Sequence, residues 1–355
     1  MKLLKQFDGF LFLFHILVFL LGASALLSTS EITFKSQILF FSIGLLLYFS
    51  LCFIDYGVFK KNPASVFLYL VSILLLISVL KFGENIRGAV RWFNLGAFSF
   101  QPSEFVKVTE IIVLASVLQP LNSRYLSVKK VVLSLILTLV LVFLINKQPD
   151  LGGALVVFGI WVFMILYGGI KPKYIIAFML IFSALSYPIW TVLHSYQKDR
   201  IISFINPYSD PLGSGYNVIQ SVIAVGSGET FGRGFGRGTQ SHLRFLPEYK
   251  TDFIFAAYAE EWGFIGSVLI ISLYFAILYR ILTISKWVQN DFGGLILAGA
   301  FSLLFIQGIV NIGMNLGILP VTGITLPLVS YGGSSLIATS LLLGIVQSIA
   351  IRRRL

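Results

Sequence analysis

About ten mostly apolar runs follow one another along this chain, and the short stretches between them hold most of its charge. A membrane-spanning helix needs about 20 such residues. The runs lie near 9–28, 36–54, 63–81, 103–119, 130–147, 151–169, 174–193, 254–283, 293–313 and 335–351. Of the 355 residues 57% are hydrophobic and only 12% charged, against about 25% charged in a soluble domain. A soluble core of this length could not hide so much apolar surface, whereas lipid solvates it directly. The expected fold is an all-α integral membrane protein of about ten transmembrane helices, forming a single polytopic membrane domain over 1–355. Its long connections fall near 82–102, 194–253 and 314–334, the largest between helices seven and eight. The first run follows Lys2 and Lys5 and imitates a signal peptide. Its length and the lack of a small-residue cleavage site read as a retained helix.

The formal net charge of +11 sits in short basic clusters between apolar runs, a pattern that suits topology signals and anionic headgroups rather than nucleic acid. The single cysteine, Cys52, excludes an intrachain disulfide. His15, His194 and His242 are scattered and resemble no metal cage. One side of the membrane collects Lys2, Lys5, Lys60, Lys61, Arg124, Lys129, Lys130, Lys171, Lys173, Arg280, Lys286 and Arg352 to Arg354. The other offers little in its short loops beyond Lys35 and Lys147. Both termini are therefore expected in the cytoplasm, with an even number of spans.

With that topology spans four, six, eight and ten all begin on the outer face, and three of them open with an acid. Pro102-Ser103 precede Glu104, Pro149 precedes Asp150, and Thr251 precedes Asp252. Proline suits a first helical turn and Ser or Thr suits a cap. Capping alone explains any one of these acids, at about 0.3–1 kcal/mol from the helix dipole. Three at one membrane depth, in a chain so poor in charge, point to chemistry. Span ten opens instead with Tyr331-Gly332-Gly333-Ser334-Ser335 and no acid, a start that can seat an anion such as phosphate.

Lys107 lies three residues after Glu104 on the same helix face and suits either an intrahelical ion pair or a substrate phosphate. Glu110 lies deeper and needs a buried polar partner, structural or in a proton path. Arg87 and Arg91 beside Trp92 and Phe93 suit the membrane interface. The Gly-rich run from Gly226 to Gly238, with Arg233 and Arg237, would allow close backbone approach to phosphates but matches no phosphate-binding loop. Glu260-Glu261 read equally as a buried hydrogen-bonded pair or a solvated kink.

Taken together, these stretches resemble the SEDS family (shape, elongation, division and sporulation), the group that includes RodA and FtsW. The resemblance rests on Phe100 to Phe105 with Lys107, Gln148 to Gly152, Gly215-Tyr216-Asn217 with Gln220-Ser221, and Gly226-Ser227-Gly228. Leu246 to Phe255 with Glu260-Glu261, and Leu319 to Ser335, complete it. It covers essentially the whole chain in order, and the wording from Thr239 to Glu248 leans to the RodA branch. Tyr249-Lys250 stand where the family often has a histidine before the Thr-Asp pair.

The resemblance implies a peptidoglycan glycosyltransferase that polymerises lipid II into glycan strands at the outer face of the bacterial cytoplasmic membrane, releasing polyprenyl diphosphate for elongation and shape. It implies a class B penicillin-binding protein (a transpeptidase) and other elongation-complex membrane proteins as partners. It also implies a divalent cation, Mg or Mn, and no organic cofactor. The family's acids map onto Glu104, Asp150 and Asp252, with Asp252 expected as the base and Glu104 or Asp150 expected to hold the metal. Lys107, Arg91, Arg200, Gln220, Tyr331, Ser334 and Ser335 are expected to contact the substrate. Two other classes fit the same topology. A transporter or lipid flippase would suit Glu110 and helix breaks near Pro320 and Pro327, but would be expected to place its polar groups at the midplane. A scaffold that docks a partner enzyme through its outer loops is the other.

Overall fold

The computed structural model describes residues 6–60, 62–86, 88–94, 96, 98–121, 125–192 and 195–352. Lys2, Lys5, Lys61, Arg87, Arg124, His194, Arg353 and Arg354, all used in the sequence reading, lie outside the described residues.

Thirteen helices follow in chain order among the described residues: α1 (Gly9–Thr29), α2 (Glu31–Phe53), α3 (Asn62–Phe82), α4 (Pro102–Leu118), α5 (Val128–Asn146), α6 (Leu151–Tyr167), α7 (Pro172–Val192), α8 (Ser195–Ile205), α9 (Tyr216–Ser227), α10 (Thr239–His242), α11 (Ile254–Ser285), α12 (Asp291–Asn315) and α13 (Gly333–Arg352). By length and composition α1, α2, α3, α5, α11, α12 and α13 can cross a bilayer, and α6 is a shorter apolar helix. Each of the ten apolar runs coincides with one helix, seven of them, among the described residues, of membrane-crossing length and composition. The second run starts earlier than its composition suggested, because Ser30 caps α2 and Glu31 pairs with Lys35 at 2.6 Å.

Three departures from a purely helical chain with open loops stand out. The connection after α3 folds into a small antiparallel sheet, β1 (Glu84–Ile86), β2 (Ala89–Asn94) and β3 (Ser99–Phe100), in the order β1-β2-β3. The stretch 194–253, read as a loop, carries α8, α9 and α10. The Gly-rich run closes a break in α11. There Gly263 adopts φ 65 and ψ −162, which frees the carbonyls of Glu260 and Glu261 and the N–H groups beyond the break. Residues 229–234 complete them: Arg233 and Gly234 N–H donate to Glu260 and Glu261, and Phe264 and Ile265 N–H donate to Glu229 and Thr230. A Cβ at Gly263 would run into the backbone of Gly232 and Gly228. Gly263→Ala should therefore lower the thermal stability of the detergent-solubilised protein by about 2 kcal/mol or more, from the positive φ and the clash together. An unchanged melting curve would contradict this stitch.

Packing places α13 at the axis. It buries 89% of its membrane-length window, against 22% for α3 and α5 on the periphery. Several buried polar groups among the helices find partners away from water. Arg280 grips Asp8 through Nε and Nη2 at 2.7–2.9 Å. Thr138 donates to Glu110 at 3.0 Å, which gives that acid a structural partner. Glu260 and Glu261 are both buried, so the pair sits inside the protein and beside the kink at once. Glu260 accepts from the N–H groups of Gln240 and Ser241, and Glu261 lies 3.8 Å from His242 Nδ1.

Candidate active site

Where α4, α6, α11 and α13 begin, a cavity of about 550 Å³ opens. It is lined by Glu104, Lys107, Asp150, Asp252, Arg91, Arg200, Tyr331, Ser334 and Ser335, together with Trp92, Gln101, Glu248, Thr251, Gln307, Gly323 and Thr325. Nine of the ten site residues expected from the sequence thus share one space. Gln220 is the exception. α9 buries Val218, Ser221 and Ala224, and Ser221 donates to the Asn315 carbonyl at 2.8 Å, which docks α9 beside the cavity rather than in its wall.

Local chemistry sets each of these side chains. Pro102 occupies the first turn of α4 with Glu104 behind it, and Lys107 reaches back one turn to Glu104 Oε1 at 2.7 Å. Lys107 is 3% exposed. An ammonium has three N–H donors, and two of these have no protein acceptor among the described residues. Asp150 caps α6, accepting from Gly153 N–H at 2.9 Å. Arg91, from β2, donates to the carbonyls of Gln148 and Pro149 and lies 3.5 Å from Asp150. Its guanidinium therefore clamps the α5–α6 corner more than it faces open space.

Asp252 was expected as the first-turn acid of its helix, but α11 starts at Ile254 with Phe253 as its cap. Asp252 precedes it in a turn held from α12: the Nδ2 groups of Asn311 and Asn315 donate to its carbonyl at 2.9 and 3.0 Å. Its side chain is therefore not spent on capping. Removal from water pushes the Asp252 carboxyl up to about 6, with Glu248 adding to the rise and Arg200 and Arg91 opposing it. Gly323, at φ +73, brings the loop before α13 against this acid: a Cβ there would stand 3.4 Å from Asp252 Oδ2 and 4.0 Å from Arg200 Nη2. Arg200 in turn donates to the Thr322 carbonyl at 2.8 Å.

The start of α13 is fastened from three sides. Ser330 Oγ donates to the Thr251 carbonyl at 2.7 Å, Gln37 Nε2 donates to the Ser330 carbonyl at 2.9 Å, and Gln101 N–H donates to Ser334 Oγ at 2.8 Å. The first N–H groups of a helix have no acceptor within it, so Gly333 to Ser335 present donors and a positive dipole end to the cavity. The space thus combines a carboxylate of raised basicity with a cation and a helix start suited to an anion.

Glu104 and Asp150, the acids expected to hold a metal, do not fit a protein-built cage. Each already serves a cation or an N–H donor, and no group of three or more His, Cys, Asp or Glu among the described residues could hold an ion.

The cavity residues missed in the sequence include Gln101, Glu248, Thr325 and Gln307. For Gln307 a signal existed: Gln307, Asn311 and Asn315 recur every four residues inside an apolar run, which puts three amides on one helix face.

Residues 3–355 match the FtsW/RodA/SpoVE family, described as cell cycle protein. The peptidoglycan glycosyltransferase MrdB of Escherichia coli strain K12 is 41% identical over 290 residues, covering 81% of this chain and 78% of its own. Stage V sporulation protein E of Bacillus subtilis strain 168 is 37% identical over 318 residues, 89% and 86% of the two chains. The crystal structure of the rod shape determining protein RodA of Thermus thermophilus aligns with a TM-score of 0.74 at 31% identity over 98% of both chains. A chain from a structure on coordination of polymerization and crosslinking by a peptidoglycan synthase complex aligns at 0.83 and 35%, again over 98% of both. With a match that runs almost from end to end in sequence and in fold, this multi-pass membrane protein belongs to the FtsW/RodA/SpoVE, or SEDS, family.

Proposed function

We propose that the chain is a peptidoglycan glycosyltransferase that joins lipid II units into glycan strands for cell elongation and shape, with the cavity at the starts of α4, α6, α11 and α13 as its active site. The carrying observation is the convergence in that one cavity of Asp252, Lys107 and the α13 start. The membrane is the bacterial cytoplasmic membrane, with both termini cytoplasmic and the cavity facing outward. The basic residues at the opposite ends of the helices support this orientation.

A sugar hydroxyl attacks the anomeric carbon of a lipid-linked donor, the bond from that carbon to the diphosphate oxygen breaks, and polyprenyl diphosphate leaves. Asp252 takes the hydroxyl proton, a task suited to a carboxyl lifted toward neutrality. The departing diphosphate carries its charge to Lys107 and the N–H groups at Gly333 to Ser335, aimed where charge develops. Glu104 orients Lys107, and Arg91 holds the Asp150 corner while Arg200 holds the loop against Asp252. A single displacement inverts the anomeric centre, as an α-linked donor and a β-linked product require. A class B penicillin-binding protein is the partner this reading favours; the kinship with a synthase of polymerization and crosslinking supports it.

The purified chain, alone and with its partner, should convert fluorescent lipid II into a ladder of glycan polymers on a denaturing gel. Labelled lipid II that crosses leaflets of proteoliposomes while no polymer forms would replace this reading with transport.

A further inference from the structure

Gln307 belongs to a row of three amides on one face of α12, with Asn311 and Asn315 at successive four-residue steps. The upper two have defined duties. Asn311 Nδ2 donates to the carbonyls of Asp252 and Ile324, and Asn315 Nδ2 donates to those of Asp252 and Asn311. Gln307 lies about 6 Å further into the bundle than Asn311, four residues at about 1.5 Å each. It is 2% exposed and lines the cavity, yet its Nε2 has no hydrogen-bond partner. A buried donor left unmatched costs free energy, and nothing in the packing of α12 requires an amide there, since its neighbours in sequence are apolar.

The surroundings decide what the donor meets. Lys107, a buried cationic donor that lines this cavity, comes from α4, which packs directly on α12. The α13 start supplies Ser334 and Ser335. Of the cavity's acids, Glu104 is paired with Lys107 and Asp150 with Arg91 and the Gly153 N–H, while Asp252 and Glu248 belong to the turn that Asn311 and Asn315 hold. An amide N–H that shares its cavity with an ammonium and a helix N-terminus suits an anionic oxygen better than a neutral hydroxyl.

We infer that Gln307 is a substrate-binding residue whose Nε2 donates to a phosphoryl oxygen of the lipid-linked diphosphate, with Lys107. This rests on the glycosyltransferase reading for the identity of the ligand, and on the cavity alone for its anionic class.

The test uses the full chain, with its partner if polymerisation requires it, and undecaprenyl diphosphate as probe against undecaprenyl monophosphate as reference. Gln307→Met is nearly isosteric and removes the donor; Gln307→Glu replaces it with a negative charge. Affinity for the diphosphate should fall about tenfold to a hundredfold in Gln307→Met, the range for a hydrogen bond to a charged group, and further in Gln307→Glu. The lipid II KM should rise in parallel. Because Nε2 serves no protein acceptor, the melting temperature of Gln307→Met should stay level or rise, which a structural role would not allow. Diphosphate affinity unchanged in Gln307→Met, the result expected if the amide met a sugar hydroxyl, overturns the inference, as does a Gln307→Glu chain that binds the diphosphate as well as Gln307→Met. A wild-type chain that makes no polymer, but whose diphosphate affinity falls on Gln307→Met, overturns the glycosyltransferase reading and supports the Gln307 assignment.

Discussion

Asp252→Asn should slow lipid II polymerisation by about 10²–10⁴-fold, the contribution of a positioned general base, in a protein that still folds. The near-isosteric amide keeps the volume, and the contacts that fix this turn use the Asp252 backbone carbonyl rather than its carboxylate. The loss should therefore appear in the rate and not in the melting curve. The pH dependence follows from the same group. Burial and Glu248 lift the carboxyl to about 6, and only its ionised form accepts a proton. The rate at limiting lipid II should thus be flat above about pH 6 and fall about tenfold per unit below it. Asp252→Asn should lose this limb. A stable Asp252→Asn protein with normal turnover would remove the base.

Lys107→Met carries the second large effect, in two separable parts. Lys107 and Glu104 are both shielded from water, with side-chain exposures of 3% and 12% and a separation of 2.7 Å. Loss of the cation leaves Glu104 charged without its partner, a change worth about 3 kcal/mol of stability. Lys107→Met should melt well below the wild type, and Glu104→Gln combined with Lys107→Met should recover most of that loss. Activity should not recover, because the double variant still lacks a donor for the leaving diphosphate, a deficit of about 10²–10³-fold. A double variant restored in both stability and turnover would make the pair structural only.

The broad architecture was legible because its signal is long and redundant. Runs of apolar residues, with Pro102, Asp150 and the glycines before Ser334 at their ends, mark helix starts whatever the tertiary context. The acids at those starts could be located for the same reason. What stayed hidden depends on contacts distant in sequence. The strands of Glu84–Phe100 are two to six residues long, too short for a periodic pattern. The glycines of 226–238 read as a loop that meets phosphate until the break at Gly263 places them against α11. Gln220 matched a motif, but its helix faces α11 and α12 rather than the cavity. Gln307 was not singled out in the sequence, although its four-residue spacing to Asn311 and Asn315 carried the information.

On the proposed function, lipid II binds with its diphosphate between Lys107 and the start of α13 and its reacting sugar against residue 252. Cryo-electron microscopy of the Asp252→Asn chain with its partner, trapped with lipid II, tests it most directly. Phosphate density should lie within hydrogen-bond reach of Lys107 Nζ and the Ser334–Ser335 backbone, with the sugar beside position 252. Diphosphate density seated outside the cavity, with residue 252 remote from any sugar, would contradict it.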